Sequence, residues 1–126
     1  MLKYIANIPK KNIIRNFSSS NYILNRIYTK NEEWIEKKKD YTQIGITKNA
    51  SQQIGELVYL EYQFKKNDII KQNEEIVILE SVKATDSINA PFNCILVENN
   101  SILEEDLTKI NENPEDTWVV RINKAD

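Results

Sequence analysis

The chain has 126 residues, of which 40% are apolar and 29% charged, with a net charge of −2. That composition suits one domain with a modest core and argues against a disordered chain. The absence of histidine, and a lone cysteine at Cys94, exclude an internal disulfide, Cys/His metal sites and the commonest general base. No apolar run approaches the roughly 18–20 residues that cross a bilayer.

Charge is unevenly spread. Residues 1–30 carry Lys3, Lys10, Lys11, Arg15, Arg26 and Lys30 and no acid, whereas the rest of the chain holds all 19 carboxylates. An acidic body argues against a nucleic-acid surface and against docking on anionic membranes. The first segment also places Leu2, Ile5, Ile8, Ile13, Ile14 and Phe17 on one side of a short amphipathic helix. Basic, acid-poor and amphipathic, it reads as a mitochondrial transit peptide, with a plastid peptide as the alternative. Arg26-Ile27-Tyr28 resembles a processing site, so the leader is expected over residues 1–28 and the domain over 29–126.

Residues 33–37 and 41–46 alternate apolar and polar side chains and predict an opening β-hairpin. Thr47 is a candidate cap for a short helix over 48–53, stopped by Gly55. Residues 56–62 predict a strand with Leu57, Tyr59 and Glu61 on one face and Val58, Leu60 and Tyr62 on the other. Ile69-Ile70 begins another strand, and Lys71-Gln72-Asn73 is a turn. With only two glycines in the chain, Asn is expected at turns that need positive φ.

Residues 75–79 are rich in β-branched side chains, and residues 85–91 form a second short extended segment. Between them lies Glu80-Ser81-Val82-Lys83-Ala84, a tight turn with a lysine near its tip. Strands follow at 94–98 and 118–122. Residues 102–111 fit either a short helix or an extended link, and Pro114 breaks the pattern. Many short strands with polar turns and one brief helix predict a mainly β fold, a small β-sandwich or flattened barrel.

A lysine at a hairpin tip is ordinarily just a solubilising residue. The string Glu80-Ser81-Val82-Lys83-Ala84 followed by a short polar strand ending in Ala90-Pro91, however, resembles the lipoyl-attachment hairpin of glycine cleavage system H proteins. Sister lipoyl domains of 2-oxo acid dehydrogenases usually carry Asp-Lys-Ala there, and biotin carriers Met-Lys-Met. The resemblance continues in register through Glu33-Trp34, Ile44-Gly45-Ile46-Thr47 with Ala50, residues 55–61 and Trp118-Val119-Val120-Arg121-Ile122. It thus covers roughly residues 32–122. The departures are Glu32 in place of a usual histidine, Asn73 in place of a turn glycine, Asn93-Cys94 in place of Ser-Gly, and four residues after Ile122 where the family usually has a helical tail.

The resemblance implies a carrier rather than an enzyme, with lipoate joined to Lys83 Nζ. Glu80, Ser81, Val82 and Ala84 would form the surface read by the lipoate-attaching enzyme. Glu33 and Ala50 match positions near the parked arm, where Glu33 would favour a cationic aminomethyl group; the plain alternative for Glu33 is a solvated strand-edge carboxylate. The implied partners are glycine decarboxylase (P protein), the aminomethyltransferase (T protein) and dihydrolipoamide dehydrogenase (L protein). Trp34, Trp118 and Cys94 read as structural. The competing readings are an H-like lipoyl donor to other carriers, a lipoyl domain of a 2-oxo acid dehydrogenase, and an enzyme built on Glu104-Glu105-Asp106, a run more simply read as solvated charge.

Overall fold

The computed structural model describes residues 26–125, so the expected leader lies outside the described residues apart from 26–28. Nine strands form two sheets among the described residues. The larger holds β1 (Arg26–Tyr28), β2 (Glu33–Lys37), β3 (Thr42–Ile46), β5 (Ile69–Ile70), β8 (Cys94–Asn99) and β9 (Val120–Lys124), in the order β1-β2-β3-β9-β8-β5. The smaller holds β4 (Leu57–Tyr62), β6 (Glu75–Ser81) and β7 (Thr85–Asn89), in the order β4-β6-β7. All pairings are antiparallel. This is the mainly β, sandwich-like fold that the spacing of short strands predicts.

The core is one cluster supplied by both sheets. Ile44, Ile70, Leu96 and Ile122 come from the larger sheet and Leu60, Val77, Leu79 and Ile88 from the smaller, all at 3% exposure or less. Their β-branched and aliphatic side chains fill the space between pleated faces well, at roughly 1.5–3 kcal/mol for each fully buried side chain. Trp34 lies on another face of β2, opposite Gly45 in the register. A Cβ on Gly45 would come within 2.4 Å of the indole, so only glycine lets the ring lie flat across β3. The indole N–H donates to the Pro114 carbonyl at 3.0 Å, which satisfies the one polar atom of a buried ring.

Helix α1 (Lys48–Ile54) starts where expected: the Thr47 hydroxyl accepts from the Ala50 N–H at 3.1 Å. It ends at Gly55, whose φ of 90° is open to glycine at little cost. Residues 102–111 resolve the open choice in favour of helical structure, with a 3₁₀ turn at Ser101–Glu104 and a second helix, α2 (Thr108–Glu112). Pro114 begins another 3₁₀ turn, Pro114–Asp116. The last strand runs at Val120–Lys124, two residues later than the predicted 118–122.

Residues 26–28, placed at the end of the expected leader, form β1, paired with Trp34, Ile35 and Glu36 of β2. Arg26 stacks 4.0 Å over the Trp34 ring and pairs with Glu36 at 3.4 Å and Glu115 at 3.0 Å. Its basic character, which made it look like leader, serves acids far along the chain. In β4, strict alternation fails because a bulge falls between Leu57 and Tyr59. The extra residue turns both Leu57 and Leu60 to the core and leaves Val58 and Tyr59 exposed. Positive φ is found at Asn67 and Asn73 as anticipated, and also at Glu32.

Candidate functional site

The predicted turn is the connection between β6 and β7. The ladder runs from Glu75↔Asn89 to Glu80↔Thr85, and the Ser81 N–H donates to the Ala84 carbonyl at 2.9 Å. Val82 and Lys83 form the tip and are exposed, Val82 at 92%. Both flanking strands bury residues in the core, so the tip stands on a rigid base. The Lys83 stem crosses Gly55: a Cβ there would lie 3.2 Å from Lys83 Cε. Among the described residues Lys83 belongs to no salt bridge. An exposed primary amine on an anchored turn is open to acylation.

The four residues grouped with Lys83 do not share one environment. Val82 is open to solvent, whereas Glu80, Ser81 and Ala84 are half-buried. Ser81 points its hydroxyl inward: it donates to the Ile54 carbonyl at 2.6 Å and accepts from the Lys83 and Ala84 N–H groups at 3.2 and 3.1 Å.

Glu33 is not a solvated edge carboxylate. It is only 5% exposed and accepts from the Thr29 hydroxyl at 3.3 Å and the Asn89 N–H at 3.2 Å. Burial pushes its carboxyl above the usual range; the two hydrogen bonds oppose this, and Asp86 adds to it. Among the described residues it has no cationic partner. Asn89 and Asp86 both lie on β7, so the surroundings of Glu33 share a strand with the lysine hairpin. Ala50 packs into the core, 7% exposed, one turn into α1. Its methyl contributes to the core rather than to an open cleft.

Sequence reading did not find Thr29, Asp86 and Asn89 around Glu33, nor the contact of Gly55 with Lys83. Thr29 reaches Glu33 across the β1–β2 turn, four residues away, whereas nothing local marks Asp86 and Asn89, whose role arises only when β2 and β7 meet. Trp34 is core, as read. Trp118 is half-buried beneath Arg121, whose guanidinium stacks 3.9 Å from the ring. Cys94 is fully buried, and burial pushes its thiol up to about 11. Among the described residues no group of His, Cys, Asp and Glu could hold a metal, and no helix is long and apolar enough to cross a membrane.

Fold and site together define a small β-sandwich domain that presents one lysine at the tip of a hairpin. The family model described as "Glycine cleavage H-protein" matches residues 26–126, and the chain belongs to that family. It is 41% identical over 100 residues to the glycine cleavage system H protein of Dinoroseobacter shibae, covering 79% of this chain and 81% of the relative. The protein of the same name from Bordetella pertussis is 36% identical over 100 residues, covering 79% and 80%; that of Coxiella burnetii is 35% identical over 101, covering 79% and 77%. A crystal structure of a glycine cleavage system H protein from Mycobacterium marinum shares the fold, with a TM-score of 0.72 at 24% identity, over 80% of this chain and 84% of that one. The family match begins at Arg26, where the described fold begins.

Proposed function

We propose that this chain is the lipoyl carrier of a glycine cleavage system, with lipoate in amide linkage to Lys83 Nζ. The observation that carries the reading is an exposed lysine, without an ion-pair partner among the described residues, at the tip of a core-anchored hairpin in a chain of the H-protein family. In the attachment step an activated lipoyl carbonyl takes the amine nitrogen, the activating group leaves and the amine loses a proton. Bound lipoate supplies a dithiolane at the end of a long arm, on which a one-carbon amine unit travels between enzymes. The protein's own part is placement: Lys83 holds the pivot, and Val82 is the neighbour best exposed to a modifying enzyme.

Glu33 then offers a docking point for a cationic amine at the arm's end. Its buried carboxylate lies near a second acid and has no cationic partner among the described residues, an arrangement that an ammonium group relieves. The partners are the P, T and L proteins and a lipoate-attaching enzyme. The acid-free start of the chain supports an address in the mitochondrial matrix, with a plastid as the alternative. The pairing of β1 with β2 favours a processing cut ahead of Arg26 over one after Tyr28. Import of the full chain into isolated mitochondria, followed by N-terminal sequencing, tests both points.

The decisive experiment begins with intact mass after expression in a lipoate-competent host. One lipoyl adduct is expected, and none in Lys83→Arg; folded protein without an adduct overturns the reading. The lipoylated protein is then mixed with P protein, glycine and labelled bicarbonate. Exchange of label into glycine is expected. Its absence, with lipoyl transfer to dehydrogenase subunits instead, would make the chain a lipoyl donor.

A further inference from the structure

We infer that Ser81 is a positioning residue, whose hydroxyl fastens the lysine turn to the end of α1 and so fixes where Lys83 points; this rests on the reading of Lys83 as the modified residue. The need for such a fastener follows from the turn itself. The closing pair is Ser81 and Ala84, so the loop proper is Val82-Lys83. Two-residue hairpin loops ordinarily close in primed turns, which need positive φ and favour Asn and Gly. Neither Val82 nor Lys83 has positive φ. The backbone of this loop therefore does not close in the way that best matches strand twist, and a side chain supplies what is missing.

The Ser81 hydroxyl is suited to that task because it is saturated. A serine hydroxyl has one proton to donate and two lone pairs to offer. Here both lone pairs are taken by the N–H groups of Lys83 and Ala84, and the proton goes to Ile54 O at 2.6 Å. Ile54 is the last residue of α1, where carbonyls have no partner within the helix. One oxygen thus closes the loop, caps a helix end and ties together segments 27 residues apart. Gly55 completes the arrangement by leaving room for the lysine stem.

An enzyme approaching the hairpin finds no free hydrogen-bonding capacity on Ser81. Its effect on modification is exerted through the direction of Lys83. This separates it from Val82, which offers its side chain to solvent.

The test compares wild type, Ser81→Ala and Ser81→Thr, the last retaining a hydroxyl. Two readouts are taken: amide hydrogen exchange of the free protein, residue by residue, and the initial rate of lipoylation by a lipoate–protein ligase. In Ser81→Ala the Lys83 and Ala84 amides should exchange at least tenfold faster, with β2, β3 and β9 unchanged. Lipoylation should slow at least fivefold, and Ser81→Thr should recover most of both. Slow lipoylation with unaltered exchange at Lys83 and Ala84 would overturn the inference, because Ser81 would then be touched by the enzyme. So would an unchanged lipoylation rate, or a loss of protection throughout the fold, which would make Ser81 a general stability residue. Failure of wild type to accept lipoate is a separate result and strikes the reading of Lys83 instead.

Discussion

The two candidate site residues, Lys83 and Glu33, differ in what surrounds them. Lys83 is exposed on a string that can be read locally, so its candidacy needed no structure. Glu33 could be read only as a family position, since two of its three neighbours, Asn89 and Asp86, come from β7, far along the chain. Its raised pKa gives a testable sign. A carboxyl that binds its proton more tightly folded than unfolded adds stability at low pH, and that stability is lost as pH rises through the folded value. Above its ordinary value of 4.5, wild type should therefore lose stability relative to Glu33→Gln, as read from urea unfolding midpoints between pH 4 and 8. Parallel pH profiles for the two proteins would show that the carboxyl is unperturbed. Gly55 offers a second test at this scale. Gly55→Ala places a methyl 3.2 Å from Lys83 Cε at a φ of 90°, so about 1 kcal/mol of stability should be lost and lipoylation slowed together.

Among the elements, β1 departs furthest from the sequence reading. Residues 26–28 fall in the expected leader because Arg26-Ile27-Tyr28 resembles a processing site at the end of a basic, acid-free segment. The acids paired with Arg26 are Glu36, across the strand pair, and Glu115, 89 residues away, which also accepts from the Lys48 N–H at the start of α1. The urea midpoint of the chain begun at Arg26 sets the reference. Starting the chain at Thr29 instead strips a strand and leaves the largely buried Glu36 with Lys38, at 3.8 Å, in place of its arginine, so the midpoint should fall. Equal midpoints for the two truncations would show β1 to be dispensable. The cap of α1 was legible because Thr47 stands immediately before a helical segment and needs no distant partner; Thr47→Ala should cost about 1 kcal/mol. The β4 bulge was not legible, because alternation in sequence carries no mark of the residue that is to be left unpaired.

For the whole molecule, the mainly β architecture followed from the number and spacing of short apolar segments, but the division into two sheets did not. That division depends on pairings such as β3 with β9 and β5 with β8, which lie far apart in sequence. The sheets are joined by more than apolar packing. The Tyr62 hydroxyl, on β4, lies 2.9 Å from the Asn100 carbonyl and 2.8 Å from that of Val119, both on the segments flanking β8 and β9. Tyr62→Phe leaves those carbonyls without this donor and should lower stability by about 1–2 kcal/mol without altering the fold or the exposure of Lys83.

The burial of Cys94 has a practical side. The only thiol in the chain is shielded and protonated in the folded state, so a thiol reagent should find nothing to modify until the protein unfolds. Val82→Cys would then carry the single reactive sulfur of the molecule, beside the lysine at the hairpin tip. A fluorophore or spin label there would report the comings and goings of the arm, with the native cysteine left in place as an internal gauge of unfolding.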